Sequence, residues 1–185
     1  NEKIGAVNVY RIGWGVPILD KLAVPFIGAI RALYMHKKHP YKAFWAIMAT
    51  FASGAGYIAN SLRMLVGKKR VPMILTLQEG DSEEHLTYKR GGLISLSWYL
   101  ALKRTDILTG ISNYLLRRAK GMGFNGKSFL IPNGVSIANY QLPITNFQRE
   151  QFRKQWEFSD DDVILITTSR LTKKNAVSDI IKSLQ

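Results

Sequence analysis

The sequence predicts an α/β protein in which a parallel sheet is covered by helices on both faces. Short apolar runs rich in β-branched residues alternate with longer segments that carry apolar residues at helical spacing. Parallel strands need crossover connections, and helices usually supply them. Hydrophobic residues make up 46% of the 185 residues, which is enough for a buried core. The length fits one large domain, or one domain with a piece of another.

The start of the chain predicts a strand followed by a helix. Residues 6–12 alternate apolar and polar side chains, which is typical of a half-buried strand. A cluster of glycine and proline then ends this pattern. Residues 19–34 carry apolar side chains at helical spacing, and residues 36–40 are expected to form a basic loop.

Residues 43–62 allow two interpretations. These twenty residues carry no charge and are flanked by Lys and Arg on both sides. Their length and flanks are those of a membrane-spanning helix. The small and polar residues inside the run make it only mildly hydrophobic, however. A buried strand over residues 43–48 with a helix over residues 50–66 is therefore the favoured prediction, and the spanning helix is the alternative.

The alternation of strands and helices continues to residue 162. Ser112 is a suitable N-cap for a helix, and Gly123 marks the end of that helix. A linker is expected after Asn139, and Ser159–Asp162 is expected to be an acidic turn. The predicted strands are 71–77, 106–111 and 127–131, and the predicted helices are 89–103, 113–122 and 146–156.

Composition limits the partners and excludes several kinds of site. The formal charge of +13 indicates an anionic partner: phospholipid head groups, nucleic acid or a phosphorylated substrate. The absence of cysteine excludes disulfides, thiolate metal sites and a cysteine nucleophile. The three histidines, His36, His39 and His85, do not form a metal-binding pattern, so no metal site is predicted.

A candidate site lies near the end of the chain. Residues 163–168 form an apolar run that predicts a strand buried on both faces. Ser169 ends the run, and Arg170 and Lys174 follow four residues apart. Arginine offers a fork of donors and lysine a point charge, and both suit phosphate oxygens at the carboxyl end of a parallel strand. The alternative is an ordinary solvated turn with surface cations.

Three motifs in order resemble a known family. They are Ser112, Asn113 and Leu115 at a helix start, the segment I-P-N-G-V at residues 131–135, and S-R-L-T-K-K-N at residues 169–175. Together they resemble the middle of a family 4 retaining glycosyltransferase of the two-domain GT-B type. Ser136 stands where that family usually has aspartate. Each motif alone is weak, and the ordered set is more specific.

The resemblance implies two Rossmann-like domains facing each other across a cleft. Residues 1–140 would form the acceptor-side N-terminal domain, truncated at its start, and residues 141–162 a linker helix and turn. Residues 163–185 would begin the C-terminal domain that binds the nucleotide sugar. The acidic E-x7-E motif of the family would fall beyond Gln185. The chain is therefore expected to be a fragment that is inactive by itself.

The resemblance also assigns roles to residues near the donor. Arg170 and Lys174 are expected to contact the donor diphosphate and to neutralise the charge that develops on the leaving group. Ser169, Asn133 and Gly134 are expected to complete the donor-binding set. The front-face retaining reaction usually attributed to this family implies no cofactor, no metal and no general base.

Two segments depart from the family pattern. The family usually has a histidine after the strand that corresponds to residues 43–48, and this chain has none there. Where the family typically has T-V-H-G, this chain has Gln78 in place of the histidine, followed by Glu79, Gly80 and Asp81. The family's histidine contact therefore does not carry over. These four residues are expected to line the cleft and to contact the sugar or the acceptor. The alternative is that the two carboxylates cap the start of a helix.

The resemblance finally implies partners and a location. The expected acceptor is a saccharide or a lipid-linked molecule, and the enzyme is expected in the cytoplasm, peripherally on the inner face of the membrane. Basic residues would contact anionic lipid, while Trp98 and Tyr99 would lie at the interface or in the core. No specific nucleic acid is expected. The competing readings are a basic nucleic-acid-binding module, a membrane anchor at residues 43–62, and another GT-B enzyme such as a nucleotide-sugar epimerase.

Overall fold

The structure is a computed structural model that describes residues 2–50, 52–80, 93–135, 145–172 and 175–184. The chain forms two compact units, Asn1–Asn133 and Gly134–Gln185. Elements of the first unit are the strands β1 (Glu2–Ile4), β2 (Val7–Val9), β3 (Phe44–Ile47), β4 (Met73–Leu77), β5 (Ile107–Gly110) and β6 (Lys127–Leu130), and the helices α1 (Pro17–Lys38), α2 (Ala52–Leu65), α3 (Leu93–Lys103) and α4 (Asn113–Gly121). Those of the second unit are the helices α5 (Asn146–Gln155) and α6 (Val177–Lys182).

The first unit is built on a four-stranded parallel sheet in the order β3-β4-β5-β6. Its register places Ala46 beside Leu75, and Leu75 beside Leu108. Because neighbours in the sheet are also neighbours along the chain, right-handed crossovers bring the connecting helices to the same face. The predicted α/β class with a parallel sheet and flanking helices is confirmed.

The helix-covered face of the sheet holds the core. Met73, Leu75, Leu77 and Leu108 are fully buried there. Helix α2 approaches closely, since a side-chain carbon at Gly56 would lie 3.1 Å from the Met73 methyl carbon. Helices α3 and α4 complete the cluster with buried side chains, which are Ile94, Trp98, Ala101, Leu102, Leu115, Leu116 and Ala119.

The opposite face of the sheet differs from the prediction of helices on both faces. Trp45, Ile47 and Phe129 point to this face, and they are 69%, 48% and 50% exposed. In the described part of the chain, helices therefore cover the sheet on one face. Thr76 and Thr109, on the same face in the two central strands, are buried, and their hydroxyl oxygens lie 2.7 Å apart.

The uncharged run at residues 43–62 divides into the strand β3 and the helix α2, as the favoured prediction states. The strand is not buried as predicted, because Trp45 and Ile47 lie on the open face of the sheet. Its polar residues have a structural use. The buried Asn60 side chain donates to the Val71 carbonyl at 2.9 Å and accepts from the Val71 N–H at 2.8 Å. No helix in the described ranges is both long enough and apolar enough to cross a membrane.

The beginning of the chain differs from the predicted single strand. Residues 2–9 form an antiparallel hairpin in which Ile4 lies beside Val7, with Gly5 in the turn at a φ of 58°. Glycine adopts this left-handed conformation without the cost of a side chain. Helix α1 is longer than predicted and includes His36, so the expected basic loop from residue 36 is wrong at its start.

The second unit confirms one predicted helix and contradicts one predicted strand. Helix α5 begins with a capping box, in which the Thr145 hydroxyl accepts from the Gln148 N–H at 3.2 Å and the Gln148 side chain accepts from the Thr145 N–H at 3.0 Å. Residues 163–168 are not a strand. Val163 and Ile166 are 87% and 76% exposed, because no other described segment pairs with this run.

Candidate functional site at the carboxyl edge of the sheet

The loops that follow β3, β4 and β6 meet at the carboxyl edge of the parallel sheet. This edge is where open α/β sheets bind ligands. The Gln78 side-chain amide, after β4, donates to the Asn133 amide oxygen, after β6, at 3.4 Å. Gln78 is half-buried and Asn133 is exposed. The structure thus brings together one residue predicted for the sugar or acceptor and one predicted for the donor.

Glu79 ties two of these loops together. Its side chain is 5% exposed, and its carboxylate accepts hydrogen bonds from the Ala49 N–H after β3 and from the Gln78 N–H after β4, the latter at 2.9 Å. Hydrogen bonds to a charged acceptor are stronger than those between neutral groups. The observed role of Glu79 is therefore to hold the backbone of the edge. A contact from Glu79 to a sugar hydroxyl stays a prediction.

The backbone next to the hydrogen bond between Ala49 and Glu79 has an uncommon conformation. Met48, between β3 and Ala49, has a φ of 71°, a left-handed value that residues other than glycine rarely adopt. The Met48 N–H still donates to the Thr76 carbonyl at 2.8 Å. The turn directs the Ala49 N–H to Glu79, and residues held in such conformations are often found at functional sites.

Behind the edge, an arginine packs on a buried tryptophan, a contact that the sequence does not predict. The guanidinium carbon of Arg118 on α4 lies 5.0 Å from the ring centroid of Trp98 on α3. Trp98 is fully buried, so of its two predicted places the core is confirmed, while Tyr99 is 48% exposed. The Ser97 hydroxyl donates to the Ala49 carbonyl at 2.9 Å. The sequence predicts Arg118 as one of several basic residues on a helix that contacts anionic lipid, and no sequence pattern distinguishes it from Arg117.

The glycines of the predicted site stand in open surroundings. A side-chain carbon added at Gly80, at the carboxyl edge, would meet no other heavy atom within 4 Å. The same is true at Gly134, the first residue of the second unit. Crowding therefore does not explain either glycine. Asp81, the last residue of the predicted cluster, lies outside the described residues.

The predicted diphosphate contacts belong to the second unit. Ser169 and Arg170 are exposed. The Arg170 carbonyl accepts from the Thr172 N–H at 2.8 Å and from the Asn175 side-chain amide at 2.7 Å, which closes a tight turn. Lys174 lies outside the described residues. The Arg170 side chain is thus presented from a turn whose backbone is fixed by local hydrogen bonds.

The part of the chain that the structure describes contains no group of three or more His, Asp or Glu side chains placed to hold a metal ion. No protein-family model matches the sequence, and no curated protein matches it significantly. The class that the fold defines is an α/β domain with a parallel sheet, compatible with a Rossmann-like fold.

Proposed function

We propose that this chain belongs to a retaining glycosyltransferase that moves a sugar from a nucleotide diphosphate sugar to a saccharide or lipid-linked acceptor. The observation that carries the proposal is the meeting of Gln78, Glu79 and Asn133 at the carboxyl edge of a parallel sheet. Asn133 lies in the I-P-N-G-V segment that resembles the family, and Gln78 stands where the family usually has a histidine. The GT-B architecture and the family belong to this proposal.

The chemistry of the edge suits a polyhydroxylated ligand. The side-chain amides of Gln78 and Asn133 each offer donors and an acceptor. They can therefore donate hydrogen bonds to sugar hydroxyls or accept hydrogen bonds from them. The Glu79 carboxylate holds the Gln78 backbone in place by accepting a hydrogen bond from its N–H. Gly80 follows Glu79 in the same loop. Gly80 and Asp81, the latter outside the described residues, complete the set of proposed acceptor or sugar contacts.

The proposed donor contacts are Ser169, Arg170, Lys174, Asn133 and Gly134. In the reaction, the bond between the anomeric carbon and the diphosphate oxygen breaks while the acceptor oxygen bonds to the same face of the sugar. The acceptor proton passes to the departing phosphate oxygen. Arg170 and Lys174 stabilise the charge on this leaving group, which is the main demand of the step. These cations make a metal or cofactor unnecessary.

The proposed location is the cytoplasm, with peripheral attachment to the inner face of the membrane. The support is the charge of +13, because each basic residue near an anionic lipid surface adds about 1 kcal/mol of attraction. The exposed bases Lys68, Lys69 and Arg117 are among those available for this contact. Such attachment would bring a lipid-linked acceptor to the enzyme.

The test is release of nucleoside diphosphate by the full-length gene product over UDP-, GDP- and ADP-sugars, with and without membrane lipids. Arg170→Ala and Lys174→Ala are the test variants, and Lys182→Ala, an exposed base on α6, is the matched control. We expect release from one donor, a loss of about 100-fold in each test variant, and no change in the control. A folded protein that releases nothing with any donor or lipid would overturn the proposal, and salt-dependent DNA binding would then favour the nucleic-acid module.

A further inference from the structure

Helix α1 carries a stripe of exposed apolar side chains along its outer face. Leu22, Phe26 and Ile30 are 64%, 63% and 66% exposed, and they recur every four residues, which places them on one face of the helix. Leu19 and Tyr34 extend the stripe at its two ends. Single exposed apolar residues are common in proteins, whereas a contiguous stripe over about four helical turns marks a contact surface.

A different face of α1 packs within the unit. Ala29 has no exposed surface, and α1 lies so close to α2 that a side-chain carbon added at Gly28 would be 2.9 Å from the Ala55 side chain. A carbon added at Gly54 of α2 would be 3.1 Å from the Pro25 ring. Small residues therefore seat α1 on α2, and the exposed stripe lies outside that contact.

The apolar surface continues from α1 to the end of α2. Tyr34 and Lys37 line one surface cavity together with Leu62, Val66 and Lys68. Leu62 and Val66 are exposed, like the residues of the stripe. The two lysines therefore stand at the border of a surface that two neighbouring segments form. We call this surface the apolar patch, and its members are Leu19, Leu22, Phe26, Ile30, Tyr34, Leu62 and Val66.

The charge around the apolar patch has one sign. Residues 21–70 contain nine Lys and Arg and no Asp or Glu. The carboxylate just before them, Asp20, accepts from two backbone N–H groups that precede α1, at 2.7 and 2.9 Å. The ammonium nitrogen of Lys38 lies 4.7 Å from the Tyr34 ring centroid, so a cation stands directly beside the patch. A surface that is apolar and basic is complementary to a partner that is apolar and anionic.

We propose that the apolar patch inserts into the head-group region of an anionic lipid bilayer, while the lysines and arginines at its border contact lipid phosphates. An exposed apolar stripe beside basic residues is typical of helices that lie in the plane of a membrane surface. Lipid meets both demands at once, since it offers acyl chains and phosphates side by side. The inference rests on the proposed function, which includes peripheral attachment. Attachment by charge alone needs no particular helix, whereas this contact requires α1.

The test is co-sedimentation of the full-length gene product with vesicles of phosphatidylcholine that contain about 30% phosphatidylglycerol. Phe26→Ser and Ile30→Ser remove apolar side chains from the patch, and Leu96→Ser, at an exposed leucine on α3, is the matched control. We expect each patch variant to lower the partition coefficient by at least about tenfold, because the apolar surface of the side chain is no longer buried in lipid. The control should bind like the wild type.

The basic border is tested by removing lysines in pairs. Lys37→Gln with Lys68→Gln removes two border charges, and Lys103→Gln with Lys120→Gln removes two exposed charges from α3 and α4. Both double variants have the same net charge. We expect the border pair to lower the partition coefficient by about 20-fold and the control pair by less than about twofold. Equal losses in the two pairs would contradict a border around the apolar patch.

High salt separates this contact from attachment by charge alone. At about 1 M salt the Debye length falls to about 3 Å, so the attraction between the bases and the lipid is screened. The wild type is expected to keep a measurable part of its vesicle binding, and Ile30→Ser is expected to lose that part. Binding of both patch variants at the wild-type level, at low and at high salt, would overturn the inference.

The outcomes also distinguish the inference from the proposed function. Vesicle binding needs no donor sugar, so a protein that binds as expected but releases no nucleoside diphosphate would overturn the transferase reaction and retain the lipid contact. An active enzyme that does not bind vesicles would overturn the lipid contact alone. A dimer that Ile30→Ser dissociates, without vesicle binding by the wild type, would assign the patch to a second copy of the chain. If one patch variant does not fold, Leu22→Ser supplies the same comparison.

Discussion

Two apolar runs of this chain look alike in sequence and have different structures. Residues 71–77 contain β4, whose Met73, Leu75 and Leu77 have no exposed surface. Residues 163–168 are even richer in β-branched residues, yet they form no strand, and Leu165 is 63% exposed. Strand β4 lies between β3 and β5, whereas no described segment pairs with 163–168. An apolar run becomes a strand when neighbours supply hydrogen bonds and a surface to pack on.

Truncation of a leucine in each run should give the largest contrast. Leu75→Ala leaves a cavity in the core and is expected to lower the free energy of unfolding by about 3 kcal/mol. Leu165→Ala removes an exposed side chain and should stay within about 0.5 kcal/mol of the wild type. Urea unfolding of the full-length gene product measures both values. Equal losses would show that residues 163–168 are packed as a strand after all.

Loss of a threonine hydroxyl should give a smaller contrast of the same kind. Thr76 accepts from the Trp45 indole N–H at 2.8 Å and lies 2.7 Å from the Thr109 hydroxyl. Thr76→Val leaves these polar groups without their partner and should cost about 1–2 kcal/mol. Thr168→Val, at an exposed position, should cost almost nothing. A neutral Thr76→Val in the same urea experiment would mean that the open face of the sheet admits water to these groups.

The helices that follow the two regions should show the smallest contrast. Ser112 caps α4 and accepts from the Leu115 N–H at 3.4 Å, so Ser112→Ala should cost about 1 kcal/mol. Ala176 precedes α6 with a φ of 53° and no side-chain cap. Ala176→Gly relieves this conformation and should be neutral or slightly stabilising. A destabilising Ala176→Gly in thermal unfolding would contradict the left-handed assignment.

The sequence analysis succeeded where local signals and packing agree. The strands β3 to β6 and the helices α2, α4 and α5 were predicted within a few residues, because apolar period, cap and glycine signals coincide there. Gln78 and Asn133 entered the predicted site through the family resemblance, and the fold then brings them to one edge of the sheet. The strand prediction failed for residues 163–168 because a strand also depends on neighbours, which the run itself does not encode.

Sequence patterns do not predict the side-chain contacts within the site. The sequence predicts Glu79 as a sugar contact or a helix cap, and it does not predict the observed hydrogen bonds from backbone N–H groups of two loops. Ala49 is thirty residues from Glu79 along the chain. Arg118 reads as one cation in a basic helix, and only the packing of α4 against Trp98 distinguishes it from Arg117. Contacts that join distant segments leave no periodic signal.

The most direct test of a nucleotide-sugar site at the carboxyl edge compares the two edges of the same sheet. Gln78→Ala and Asn133→Ala change the carboxyl edge, and Lys127→Ala changes an exposed residue at the amino end of β6. The readout is the initial rate of nucleoside diphosphate release by the full-length gene product. We expect at least about a tenfold loss in the first two variants and a wild-type rate in the third. Full activity in both carboxyl-edge variants, or an equal loss in Lys127→Ala, would contradict the account.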